Sequence, residues 1–214
     1  MSQLANLSIL MIAMTNLVLL GTSRLGLCVR VVALQGAALA LFTLLDNAAN
    51  LSVHLVLVAL ATLVLKAFVF PRLLFNVLHQ TDVRREMEPY VGYTSSIMLG
   101  MALLLLSRGV SRQLPLDNAA LPPLVLPIAL WTIFVGLFLV MARRKAISQV
   151  LGYLVIENGI FAFGAALAGE MSLLVELGCL LDVFMAVFVM GLAIFHINKE
   201  FDHMDTDRLT ALRD

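Results

Sequence analysis

Two apolar runs late in the chain, at roughly 147–168 and 171–197, are each long enough to cross a bilayer, and both carry carboxylates: Glu157 in the first, Glu176 and Asp182 in the second. About 20 apolar residues span the hydrocarbon of a membrane. Inside it every backbone N–H and C=O must be bonded within the protein, which leaves helices or closed barrels. A carboxylate at the centre of such a helix costs about 2.5–3.5 kcal/mol on insertion scales, so it persists with a partner or a task. Two consecutive spans with internal acids point to a proton or ion path.

The same kind of run recurs along the chain. Hydrophobic residues make up 61% and charged residues 13% of the 214 positions, and the mean hydropathy is +0.99. These values place the protein among polytopic, all-α membrane bundles. Seven spans are predicted, at roughly 3–22, 27–46, 51–77, 92–109, 122–142, 147–168 and 171–197. The N-terminus lacks the basic region and small-residue cleavage site of a secretory leader, so Leu4 onward is expected to be a permanent span.

Charge placement orients the bundle. Arg24, Arg30, Arg72, Arg84, Arg85, the Arg143-Arg144-Lys145 triplet and the tail residues Lys199, Arg208 and Arg213 flank the odd connections and the C-terminus, whereas Arg108 and Arg112 lie opposite them. That is eleven basic residues against two, which by the positive-inside bias predicts an external N-terminus and a cytoplasmic C-terminus. A net charge of zero gives no footprint for nucleic acid. The lipid bilayer is the expected surrounding.

Glu157 and Asp182 lie near the centres of their spans, and no basic residue on the same helix can neutralise either. Apolar surroundings favour the protonated form of a carboxyl group, which can then take up and release a proton as water or a cation approaches. Tyr153, one turn before Glu157, and Asn158, just after it, are polar groups able to hold water or share a proton. Glu176 lies about 8 Å of helix rise from the outer end of its span, against about 16 Å for Asp182. An interfacial role for Glu176 is therefore an open alternative. In the third span Lys66 precedes Pro71, whose missing N–H favours a hydrated irregularity. The competing reading is that Lys66 snorkels to the headgroups beside Arg72. His54, near the outer end of that span, is open to a plain hydrogen-bonded role.

Cys28 and Cys179 form no CxxC and read as small apolar residues. Phosphate-cradling, dinucleotide-binding and HExxH motifs are absent, as is any set of haem or cluster ligands. Sliding the chain by 122 positions sets Gln35 on Glu157 and His54 on Glu176, an echo that fits a parallel three-helix repeat around the fourth span, with chance similarity among so many leucines as the alternative. In the tail, Leu209 and Leu212 have the i, i+3 spacing of a short amphipathic turn suited to a cytoplasmic-side contact, with a solvated end as the alternative.

The segment 135–214 carries Arg143-Arg144-Lys145, the run from Leu151 through Glu157 and Asn158 to Gly159, Val175-Glu176-Leu177-Gly178, Leu181-Asp182-Val183-Phe184-Met185-Ala186-Val187 and a closing Leu209-Thr210-Ala211-Leu212. In these residues the chain resembles the hydrogenase-4 component E family, with Lys66 and Pro71 extending the likeness into the third span. That family is similar to the K subunit of complex I and the C subunit of multisubunit cation/proton antiporters, three-helix proteins with an acid in each of two adjacent helices. The resemblance carries the first acid onto Glu157 and the second onto Asp182, an aspartate rather than a glutamate, with Glu176 competing for that place. It implies an N-terminal group of spans over 1–121, a K-subunit-like unit over 122–197 and a cytoplasmic tail over 198–214.

The function implied is that of a non-catalytic membrane-arm subunit of an energy-converting hydrogenase or complex I-like assembly in a bacterial or archaeal cytoplasmic membrane. Its expected partners are antiporter-like and quinone- or H-subunit-like membrane subunits and soluble redox subunits. Those partners, not this chain, would carry the iron–sulfur clusters and any nickel–iron centre. The proton (or sodium) path would draw on Glu157, Asp182, Glu176, Lys66, His54 and Tyr153. A stand-alone secondary transporter, or a component of a multisubunit antiporter, is the alternative. The first reading is favoured because Pro71 has no counterpart in the seventh span, whereas a carrier breaks helices in both halves.

Overall fold

A computed structural model describes residues 2–46, 56, 60, 63–80, 90–114, 123–167 and 191. Those residues form helices and short connections, with no strand among them. The order is α1 (Ser2–Gly21), α2 (Leu25–Asp46), a π-helical turn (Leu65–Val69) running into α3 (Phe70–Gln80), α4 (Tyr93–Gln113), α5 (Val125–Ala142) and α6 (Ala146–Leu167). In α2, α4, α5 and α6 the stretches Leu25–Phe42, Tyr93–Gln113, Val125–Ala142 and Ala146–Gly164 are each long and apolar enough to cross a membrane, and α1 holds a shorter apolar run, Asn6–Gly21. The chain is an all-helical membrane protein.

The helix ends follow from local chemistry. The α1–α2 break falls at Thr22–Arg24, where the Arg24 N–H donates to the Thr22 hydroxyl at 3.3 Å. Helix α4 runs on to Gln113, past the predicted boundary near 109, because nothing breaks it before Leu114. Leu114 is extended, at φ −80° and ψ 118°, as the ring of Pro115 demands of the residue before it. Pro127 lies in the first turn of α5, where a missing N–H is harmless. Helix α3 likewise continues to Gln80, beyond the expected 77. Of the predicted seventh span only Gly191 is among the described residues; the rest of that span and the whole tail lie outside them.

Helices α5 and α6 form a close antiparallel hairpin built on glycines. A Cβ on Gly136 would lie 2.6 Å from the Ile156 backbone N, one on Gly152 2.9 Å from that of Val140, and one on Gly159 2.7 Å from that of Ile133. Only a hydrogen at these positions lets the two backbones approach so closely, the usual device where lipid supplies no hydrophobic drive between helices. Leu19, Leu20, Val29 and Val32 from α1 and α2 share one core with Trp131, Val135, Leu154 and Val155 from α5 and α6. Cys28 is a buried member of that core, in keeping with its reading as a small apolar residue.

Displaced by 122 positions, α1 and α2 match α5 and α6 to within one residue at all four ends. The echo seen in the sequence corresponds, for the first two helices of each predicted three-helix repeat, to a pair of helix hairpins; the third pair involves the seventh span, of which only Gly191 is among the described residues.

One end of the bundle sets basic and aromatic groups from the α3–α4 and α5–α6 connections and the start of α4 against the end of α1. Arg143 Nη2 donates to the Leu20 carbonyl at 3.2 Å. The Arg143 guanidinium also lies 4.6 Å from the centre of the Tyr93 ring, and that of Arg144 4.6 Å from the Tyr90 ring. The Tyr90 N–H donates to the Ala142 carbonyl at 3.0 Å. The ends of α1 and α5 and the start of α4 therefore meet on one side, as an alternating up-and-down arrangement requires.

Candidate functional site

Glu157 sits at the middle of α6 and is 1% exposed. Lys66 enters from the π turn, 6% exposed, and its Nζ stands 2.9 Å from Glu157 Oε1. The snorkelling reading of Lys66 is overturned: its ammonium turns inward to a carboxylate rather than outward to headgroups. Gly36 of α2 makes the space, since a Cβ there would lie 2.7 Å from Lys66 Cβ. The Phe161 ring stands 5.9 Å from Nζ and adds a cation–π contact.

The π turn explains how Lys66 is placed. Pro71 has no N–H to give to the Ala67 carbonyl, and just before it the Phe70 N–H reaches back five residues to the Leu65 carbonyl. Such a turn holds one residue more than an α turn and shifts the angular register of what precedes it. A small cavity of about 10 Å³ lies beside Lys66, lined by Phe70, Pro71, Leu154 and Asn158 among others, with room for roughly one water molecule. The irregularity expected at Pro71 is thus real, and it lies against Lys66.

Lys66 also donates to Asn158 Oδ1 at 2.9 Å. From there a chain of buried side chains continues: Asn158 Nδ2 donates to Gln35 Oε1 at 3.2 Å, Gln35 Nε2 to Asn16 Oδ1 at 2.9 Å, and Asn16 Nδ2 to Thr132 Oγ1 at 2.8 Å. The Thr132 hydroxyl ends the chain on the Ile128 carbonyl at 2.7 Å. Five elements, α1, α2, the π turn, α5 and α6, each contribute at least one member. Glu157 stands apart from this pattern. Its Oε1 meets Lys66 as a charge contact outside hydrogen-bond geometry, and neither of its oxygens has a hydrogen-bond partner among the described residues.

The structure therefore brings together Lys66 and Glu157 of the candidate set. Tyr153 is 47% exposed and makes no hydrogen bond to Glu157 among the described residues. His54, Glu176 and Asp182 lie outside the described residues. Asn16 and Thr132 are not singled out by the sequence, and Gln35 enters only through the repeat; the available signal is an amide or hydroxyl in the middle of an otherwise apolar run. Among the described residues no group of three or more His, Cys, Asp or Glu is placed to hold a metal ion.

No family profile matches the chain, and no solved structure matches it significantly. It is 34% identical over 101 residues to hydrogenase-4 component E of Escherichia coli K12 and of Shigella flexneri, a match covering 47% of this chain and 46% of those proteins. It is also 34% identical over 187 residues to the uncharacterized protein Rv0085 of Mycobacterium tuberculosis, across 87% of this chain and 85% of that protein. Identity at that level over most of both chains means that the protein belongs to the family of Rv0085.

Proposed function

We propose that the protein is a membrane subunit of a hydrogenase-type multisubunit complex, and that Lys66 and Glu157 are the ionisable pair of a proton (or sodium) path within it. The partial likeness to hydrogenase-4 component E supports the assembly. The single observation that carries the path is an opposite-charge pair at 2.9 Å, buried at the middle of a membrane-crossing helix. Intramembrane ionisable residues that face the bundle interior and pair with one another mark ion pathways.

Glu157 Oε2 is the place where a proton enters or leaves the pair, and Asp182 or Glu176 on the following span is the next carrier. Lys66 sets the charge that Glu157 meets, so proton movement to or from the carboxyl alters the electrostatics of both groups together. In this reading the chain makes seven passes through a bacterial or archaeal cytoplasmic membrane, with its C-terminus in the cytoplasm. Redox centres, iron–sulfur clusters and a nickel–iron site among them, belong to partner subunits.

Extraction of the native protein in mild detergent tests the assembly. Iron–sulfur and antiporter-like subunits should copurify with it in fixed proportion. Recovery of a lone chain from membranes in which such subunits are present would overturn the assignment.

A further inference from the structure

The hydrogen-bond chain from Lys66 to Ile128 can run in one direction only. An ammonium donates and never accepts, so Asn158 must present Oδ1 to Lys66. Its Nδ2 is then left for Gln35 Oε1, and the same logic passes through Gln35 to Asn16 and Thr132. At the far end a backbone carbonyl accepts and never donates, so the Thr132 hydroxyl must give its proton to Ile128. Both ends impose the same direction, and no amide can flip while either end holds. Asn16, Gln35 and Thr132 are fully buried, which denies them water as a substitute partner.

We propose that Asn16, Gln35 and Thr132 are positioning residues whose one-way chain, anchored on the Ile128 carbonyl, holds the Asn158 oxygen against Lys66 and so keeps the ammonium facing Glu157. The inference rests on the reading of Lys66 as the cation of the site. Aligned hydrogen bonds polarise one another, so the acceptor Lys66 meets is stronger than an isolated amide. An amide chain locked in one direction has no titrating group to carry protons away, so this arm steadies Lys66 without draining it. The α1–α2 hairpin thereby becomes part of a site whose charges lie on the π turn and α6.

The chain has three lysines, Lys66, Lys145 and Lys199, so lysine isotope-labelled at Nζ gives a spectrum simple enough to read by NMR in detergent. The Lys66 ammonium signal, identified by its loss in Lys66→Met, should exchange slowly with water in the wild-type protein. Gln35→Met and the near-isosteric Thr132→Val should each shift that signal and speed its exchange by about tenfold, because a buried partner is left unsatisfied. Thr132→Ser, which restores the hydroxyl, should bring the signal back toward wild type. An unchanged signal in both Gln35→Met and Thr132→Val would overturn the proposal. So would Thr132→Ser behaving like Thr132→Val, since a variant that keeps the hydroxyl and one that lacks it would then be alike, which belongs to side-chain shape at that position rather than to the hydrogen bond. The readout does not depend on ion transport, so failure of the transport reading leaves this test intact.

Discussion

A buried ammonium and a buried carboxylate are each costly alone, and the site shows how the cost is contained: Lys66 has Glu157 as its counter-charge, Asn158 as a hydrogen-bond acceptor and the Phe161 face beside it. Removing one member of such a pair strands the other, at about 3–5 kcal/mol, whereas removing both together is often close to neutral. Lys66→Met should therefore lower the thermal midpoint in detergent markedly, and Lys66→Met combined with Glu157→Gln should melt closer to wild type than Lys66→Met alone. Additive losses in that cycle would mean that the two charges do not meet. At this scale the sequence shows that Lys66 and Glu157 are out of place in apolar runs. It does not show that they face each other, because depth along a helix is legible from position and azimuth is not. Helices α1, α2, α5 and α6 are apolar nearly all round, so no stripe marks the inward face. The amides of Asn16 and Gln35 carry that information, and they are easily overlooked among leucines.

The elements that position the pair are the π turn and the α5–α6 hairpin. The hairpin depends on Gly136, Gly152 and Gly159, and through it the depth of Glu157 is tied to Thr132 and the amide chain. Gly136→Ala should force the two backbones apart and cost about 1–3 kcal/mol, the usual range for overpacking. Gly109→Ala in α4, where an added Cβ meets nothing within 4 Å, should instead be neutral or stabilise by up to about 1 kcal/mol through helix propensity. Thermal unfolding of the two variants in the same detergent checks the contrast, and equal effects would remove close packing as its cause. The existence of these helices is plain in the sequence, because runs of about 20 apolar residues leave little choice. The ends of α3 and α4 are less so, since polar residues such as Arg108 and Arg112 can remain helical at an interface until a residue like Pro115 intervenes.

Over the whole molecule, two hairpins of matching length pack into a shared apolar interior, and the polar chain runs through it from one hairpin to the other. Basic residues collect at one end, at the close of α1 and α5, where Arg143 ties the hairpins together through Leu20. Helix α4 turns large side chains such as Met98, Leu105 and Leu106 outward, as a helix bordering lipid does. Charge alone puts the odd connections on one side, and the contacts among Leu20, Tyr90, Tyr93, Ala142 and Arg143 are consistent with that reading. The sequence points to Asp182 or Glu176 as the partner of Glu157; Lys66 emerges because only the fold relates residues so far apart in the chain. The most direct measurement of the central claim is proton uptake by the assembled complex in proteoliposomes, per redox turnover, for the wild type and for Glu157→Gln. The substitution keeps shape and hydrogen-bonding capacity while removing the titratable group, so coupled uptake should fall by roughly two orders of magnitude with assembly intact. Undiminished uptake in a fully assembled Glu157→Gln complex would contradict the account.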